Sequence, residues 1–274
     1  MLKTTMRLGL LFIILGIAGL FFFGAPFTGS SGETTMIETE TINDTVADIY
    51  IEASAGSLIV EPSSDDDIHI LVSDKDASDL SVQLESERLS ILLDQDQAFN
   101  LSRFNLFGSN RPQVIITLPD EVYNRLDIKL AVGNIDIDGV QVDKLTAENN
   151  VGAVTVSQTK TDTASVELNI GQISVSDGMG EWSATTDIGE VDFQLLSFEE
   201  DITAEVALGA INIKTETLPE DYNVTLDVDL GEIQTEGLNA ADVDTTQVWQ
   251  SRIGTNGPKL DASVDLGRIS LEYH

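Results

Sequence analysis

The side chains best placed by type and spacing to do chemistry are carboxylates. Counted back from a recurring glycine, acids stand four residues before it at Glu148, Glu167, Glu205 and Asp227. Others stand two residues before it at Asp187, Asp229 and Asp265. Carboxylates held on a rigid face could work as a general acid and base on a glycan. They could also supply oxygen ligands to calcium. Each possibility carries a requirement. An enzyme acting on acidic glycans needs bases to hold its substrate, and the repeats supply only Lys129, Lys144, Lys160, Lys214, Arg252, Lys259 and Arg268. Calcium-loaded β-rolls carry a G-G-x-G-x-D nonapeptide, which this chain lacks. Asp65-Asp66-Asp67 and Asp74-Lys75-Asp76 read as solvated turns. His69 and His274 have no partner in any motif and read as surface residues. No nucleophile elbow, phosphate loop, zinc-protease helix or EF-hand loop is present. Acid columns are also what a chain with 47 acidic residues produces by default. The expectation is no catalytic residue, no cofactor and no ordered metal, with only diffuse attraction of cations.

The elements that position these acids repeat. Alternating apolar residues lead to one glycine, and two more alternating apolar residues follow it. The clearest copy is Ile202, Ala204, Val206, Leu208, Gly209, Ile211, Ile213. The same register runs Leu126, Ile128, Leu130, Val132, Gly133, Ile135, Ile137. Further copies surround Gly56, Gly152, Gly171, Gly189, Gly231 and Gly267. From Gly133 to Gly231 the intervals are 19, 19, 18, 20 and 22 residues, the mark of stacked repeats. Alternation sends every second side chain to one face. Positions seven, five, three and one before the glycine are expected to point inward, then two and four after it. The three-residue step across the glycine breaks strict alternation, and glycine permits the bend this needs. Stacked coils place like positions about 4.8 Å apart. Asn149 and Thr186 are polar at inward positions and need partners if buried. Outward, Glu148 is expected over Glu167, and Glu205 over Asp227, in mutual repulsion. Trp182 takes an aliphatic position in its copy. The interval from Gly231 to Gly267, with Trp249 in it, is 36 residues. It reads equally as a degenerate coil or a lateral excursion.

Composition narrows the partners. All 47 acids follow position 32, and of the 14 bases only Lys3 and Arg7 precede it, so the body carries a net −35. Nucleic acid is excluded as a partner, because phosphate binding needs a basic surface. With no cysteine there is no disulfide and no thiolate chemistry. Leu8 to Phe27 is an uncharged apolar run long enough to span a bilayer of about 30 Å. Its exit, Phe23-Gly24-Ala25-Pro26, is poorly suited to signal cleavage. Lys3 and Arg7 before it place the N-terminus in the cytoplasm and the body outside.

The expected organisation is a cytoplasmic N-terminus (1–7), a transmembrane anchor (8–27), a linker (28–36), an N-terminal β region with a capping loop (37–125) and regular solenoid repeats (126–274). Within the β region, Ser86-Glu87-Arg88 reads as a hairpin connection. The irregular stretch from Asp94 to Pro112, with Phe99, Phe104 and Phe107, reads as a flap over an open solenoid end.

Three stretches carry a resemblance. They are V-G-N-I-D-I-D-G at Val132–Gly139, I-G-Q-I-S-V at Ile170–Val175 and L-G-A-I-N-I at Leu208–Ile213. Together with V-I-I-T-L-P at Val114–Pro119 they resemble a bacterial "putative adhesin" family of β-strand repeats. One N-terminal span followed by such a domain also resembles the LiaG-type membrane proteins of Gram-positive cell-envelope stress operons. The resemblance implies no catalytic residues. The fold expected is all-β, a parallel β-helix or β-solenoid of about 19-residue coils behind one transmembrane helix. The function expected is that of a single-pass, non-enzymatic protein of the cell membrane. Its body is extracellular, and its partner is an envelope protein or cell-wall component. A polysaccharide-binding or polysaccharide-active protein, or a calcium-binding surface protein, is the alternative.

Overall fold

Fifteen strands and no helix make up the described residues, 38–73, 80–93, 112–238 and 241–273 of the computed structural model. The short strands are β1 (Glu38–Ile42), β3 (Ile68–Ser73), β4 (Leu80–Glu85), β5 (Arg88–Leu93), β6 (Gln113–Leu118), β13 (Val243–Asp244) and β14 (Val248–Ile253). The long ones are β2 (Asp48–Pro62), β7 (Val122–Asp138), β8 (Gln141–Ser157), β9 (Lys160–Ser176), β10 (Met179–Leu195), β11 (Ile202–Thr215), β12 (Tyr222–Glu236) and β15 (Lys259–Tyr273). Each long strand contains one cassette and bends at its glycine, giving a first arm before the corner and a second arm after it. Two-residue links join β7 to β8, β8 to β9 and β9 to β10. Each link begins in left-handed backbone, at Gly139, Gln158 and Asp177.

The long strands pair in parallel, glycine against glycine, through β2, β7, β8, β9, β10 and β11. Register is locked because a slip by one residue would turn every buried side chain outward. At Gly209, φ is +148° and a Cβ would lie 1.7 Å from the carbonyl oxygen of Gly189. The carbonyl of each corner thus fills the space a side chain would need on the next. Inside, the column seven before the glycine is buried throughout, including Leu126, Leu145, Ala164, Trp182 and Ile202. Trp182 fits because Ala164 stands opposite it in the adjacent coil and Gly178 leaves room at its ring. One continuous hydrophobic core runs through the stack.

Both ends depart from simple stacking. The spatial order is β1-β3-β6-β2-β7-β8-β9-β10-β11-β15-β12-β14-β13. At the N-terminal end β2 lies inside the stack. Its first arm pairs with β5 and its second with β6, which together make one split coil. β4 runs antiparallel on β5, while β3 and then β1 run antiparallel on β6. At the C-terminal end β15 inserts between β11 and β12, with Gly267 between Gly209 and Gly231. The 36-residue interval is therefore an excursion. The chain leaves β12, forms the β13–β14 hairpin against it, and returns one coil deeper.

Three expectations need correction. The column one before the glycine does not point fully inward. Leu208, Leu266 and Leu230 are 37%, 45% and 67% exposed, because this position sits at the corner itself. Glu205 does not stack on Asp227, since Ser263 of β15 lies between them. The hairpin between β4 and β5 turns on Ser86 and Glu87, both at positive φ, while Arg88 already belongs to β5. The apolar run at Leu8–Phe27, the flap with Phe99, Phe104 and Phe107, Asp74–Asp76 and His274 all lie outside the described residues. Among the described residues no helix is long and apolar enough to cross a membrane.

Candidate functional site

Two polar ladders follow from the alternation. On the first arm, positions four before the glycine read in spatial order Glu52, Lys129, Glu148, Glu167, Thr185, Glu205, Ser263, Asp227. Glu148 and Glu167 are direct neighbours, as the spacing predicts. Lys129 relieves part of their repulsion. Its Nζ donates to both carboxylate oxygens of Glu148, at 3.0 and 2.8 Å. Glu52 is the opposite neighbour of Lys129, and it accepts the Tyr50 hydroxyl. That bond, with some burial, pushes the Tyr50 pKa up to about 12. The Arg88 guanidinium lies 5.6 Å from the Tyr50 ring centre. This end of the ladder is thus partly neutralised by Lys129, while Glu167 and Glu205 stand without such help in the ladder.

Positions two before the glycine behave differently. Asp229 and Asp265 face each other, between the pairs Val228–Val264 and Leu230–Leu266. Asp187 lies beside Ala207, between the pairs Thr186–Val206 and Ile188–Leu208. The acids therefore form two neighbouring pairs, Glu148–Glu167 and Asp229–Asp265, with Asp187, Glu205 and Asp227 set apart from them, rather than continuous columns.

The second arm carries the more varied face. Asp192, Gln194, Asn212, Lys214, Arg268, Ser270 and Glu272 line an open groove of about 400 Å³ across β10, β11 and β15. The Asn212 amide donates to Asp192 at 2.7 Å and also to Glu190. Gln172 donates to the other oxygen of Asp192 at 2.7 Å. Lys214 pairs with Glu272 at 3.1 Å. Burial raises the Glu190 carboxyl above the ordinary range, and the nearby Asp192 charge adds to this. The Asn212 hydrogen bond and the Arg268 charge oppose it. Burial likewise raises Asp136, on the same face of β7, against a Thr155 hydrogen bond. A groove with amide donors, carboxylate acceptors and two bases is chemically suited to the hydroxyls of a sugar. The sequence reading missed it. Its residues come from three cassettes, and β15 enters only through the non-sequential insertion.

Elsewhere the chemistry is local. His69 makes two local contacts: its Nε2 lies 2.8 Å from Asp65 and its Nδ1 3.3 Å from the Thr41 hydroxyl. The His69 contact and the Asp67 amide lower the Asp65 pKa. Asp65 to Asp67 form a turn closed by Ser63. Among the described residues no three His, Cys, Asp or Glu side chains are grouped to hold a metal ion. The Asn149 amide nitrogen donates to the Gly133 carbonyl at 2.9 Å, whereas its Oδ1 and the Thr186 hydroxyl are buried without a partner.

No curated protein sequence matches the chain. Among solved structures, one similar chain is described as a putative adhesin from Bacteroides fragilis. It is 15% identical, with a TM-score of 0.45, over 87% of this chain and 98% of that one. A putative cell adhesion protein from Clostridium sporogenes is 11% identical with a TM-score of 0.38, over 86% and 99% of the two chains. A "putative lipid binding protein" from Parabacteroides distasonis is 12% identical with a TM-score of 0.31, over 86% and 96%. Likenesses this distant bear on neither partner nor activity. The family profile, in contrast, spans residues 46–246, from the strand before the first corner glycine into the C-terminal excursion. With its glycine-cornered coils, the chain belongs to the Toastrack DUF4097 family.

Proposed function

We propose that this is an adhesin-like, non-enzymatic protein, held in the cell membrane by Leu8–Phe27, with its β-solenoid outside the cell. Its role is envelope interaction or the response to envelope stress. The observation that carries this reading is the pair of register-locked outer ladders. They present polar side chains at a constant spacing of about 4.8 Å along one axis, which suits an extended partner better than a small substrate. Family membership and the resemblance to LiaG-type proteins support it. Lys3 and Arg7 on one side of the apolar run, and the acidic body on the other, support the orientation. Protease added to intact protoplasts is expected to remove the body and leave a short membrane stub. A protected body would overturn the orientation, and soluble protein in the medium would overturn the anchor.

A second reading has its own support in the groove over β10, β11 and β15. There the protein would bind a cell-wall polysaccharide through Asp192, Asn212 and Arg268. Co-sedimentation with purified cell wall, abolished by Asn212→Leu but not by Thr185→Ala on the other face, is the expected result. Equal sedimentation of both variants would set this reading aside.

A further inference from the structure

The two ends of the stack are finished differently. At the N-terminal end both arms of the outermost coil are covered, β5 by β4 and β6 by β3. At the C-terminal end only the first arm is. β14 runs antiparallel to β12 from Tyr222 to Asp227. Gln247 extends the cover slightly. Its carbonyl accepts from the Val228 amide and its side chain donates to the Asp229 carbonyl, both at 2.8 Å. Beyond this, from Gly231 to Glu236, β12 is bonded to β15 on one side. Among the described residues no strand lies on the other side.

The side chains along this edge have a definite character. Leu230 is the most exposed large apolar residue among those described, at 67%. Ile233 is half-buried at the rim of the core. Glu232, Gln234, Thr235 and Glu236 are exposed. Asp229, Glu232 and Glu236 carry negative charge along it, and Arg268 stands opposite Glu232 on β15.

From this we infer that the Gly231–Glu236 edge is a strand-addition site for an extended segment of another polypeptide with alternating basic and apolar residues. Main-chain hydrogen bonds to an open edge give affinity, and side chains on alternate positions give selectivity. Leu230 and Ile233 offer an apolar ledge. Asp229, Glu232 and Glu236 favour lysine or arginine and disfavour acids. A second copy of this chain is the wrong occupant. It would set the same acids against themselves, and charge on an exposed edge is how proteins prevent self-pairing. The inference names a partner class for the adhesin-like reading, but it stands on the edge alone and holds whichever way the anchor faces.

The probe is a fluorescent hexapeptide of alternating lysine and valine, titrated into the full chain in non-ionic detergent at low salt. Two controls are the same peptide N-methylated at every amide, and hexalysine. Strand addition predicts that each control binds at least about tenfold more weakly, a difference of roughly 1.4 kcal/mol. It predicts new hydrogen-exchange protection confined to residues 231–236. Glu232→Lys with Glu236→Lys, and separately Leu230→Ser, should weaken binding several-fold with the melting temperature unchanged, whereas Glu148→Lys should not weaken it. Equal binding of all three peptides would overturn the inference, since it would reduce the edge to part of a diffuse acidic surface. So would protection, without peptide, of the alternate amides in 231–236 that point away from β15, which would mean that the edge is occupied by this chain or by a copy of it.

Discussion

Replacing Gly209 by alanine tests the corner directly. The perturbation has two parts. At φ of +148° a side chain is strained, at about 1–3 kcal/mol. The added Cβ would also meet the Gly189 carbonyl oxygen at 1.7 Å, less than half an ordinary contact distance. Backbone cannot yield as a side chain can. The two coils must separate by more than an ångström at that point, and the flanking ladder bonds lengthen. Two lost bonds at about 1 kcal/mol each bring the total to roughly 3–5 kcal/mol. That is a large part of the 5–15 kcal/mol that typically holds a domain together. Gly56→Ala should cost less. Its Cβ would meet the Pro112 oxygen at 2.4 Å, at the margin of the stack rather than between two regular corners. Ser176→Val, on an outward position of β9, should stay within about 1 kcal/mol of the parent. Urea melts followed by circular dichroism rank the three. Were Gly209→Ala to match Ser176→Val, the carbonyl-into-corner packing would have no energetic weight and the account of the bend would fail.

Other outcomes follow from the charges. Asp136 and Glu190 have carboxyl pKa values raised by burial, so between the ordinary carboxylate value and the raised one the folded chain holds more protons than the unfolded. Their contribution is present below that window and is lost as pH rises through it. Asp136→Asn should therefore raise the melting temperature at pH 7 more than at pH 4, and an equal rise at both would refute the burial argument. Lys129→Glu would create a run of four acids from Glu52 to Glu167. It should destabilise by about 1–2 kcal/mol at low salt, with most of the loss recovered at high salt, as a denaturation series in sodium chloride would reveal. Melts at matched ionic strength should rise equally in magnesium and calcium chloride. Stabilisation by calcium at far lower concentration would mean that an ordered site exists after all.

Much of the coil was legible because one pattern served several purposes. The alternation named the buried columns, from Leu126 through Trp182 to Ile202, since a strand has only two faces. The glycine step named the corner, since few residues other than glycine tolerate such a backbone there. What escaped depended on information that the pattern does not contain. Every cassette has the same register, so nothing in Gly209, Gly231 or Gly267 says which glycine lies on which. That is why Glu205 was expected on Asp227 when Ser263 stands between them. The exposure of Leu230 and Leu266 escaped for a related reason: alternation treats a corner position as if it belonged to a flat sheet. The groove at Asp192, Asn212 and Arg268 was beyond reach because it forms only once the order of the coils is known.

The inserted β15 has a consequence for how the molecule is made. Synthesis delivers β11 and β12 before β15 exists. In the finished fold the two are not partners, and both pair with β15, Gly267 lying between Gly209 and Gly231. The finished arrangement requires all fifteen residues of β15 to lie between them. The stack therefore cannot be completed by adding coils in chain order, because β15 has to enter between two others. Deleting β15 would accordingly remove more than one strand. With β15 gone, β12 and the hairpin behind it lose their seat on β11, and the far end of the stack has to re-register or fray. β15 is a keystone in this solenoid, the strand that joins β12 to β11.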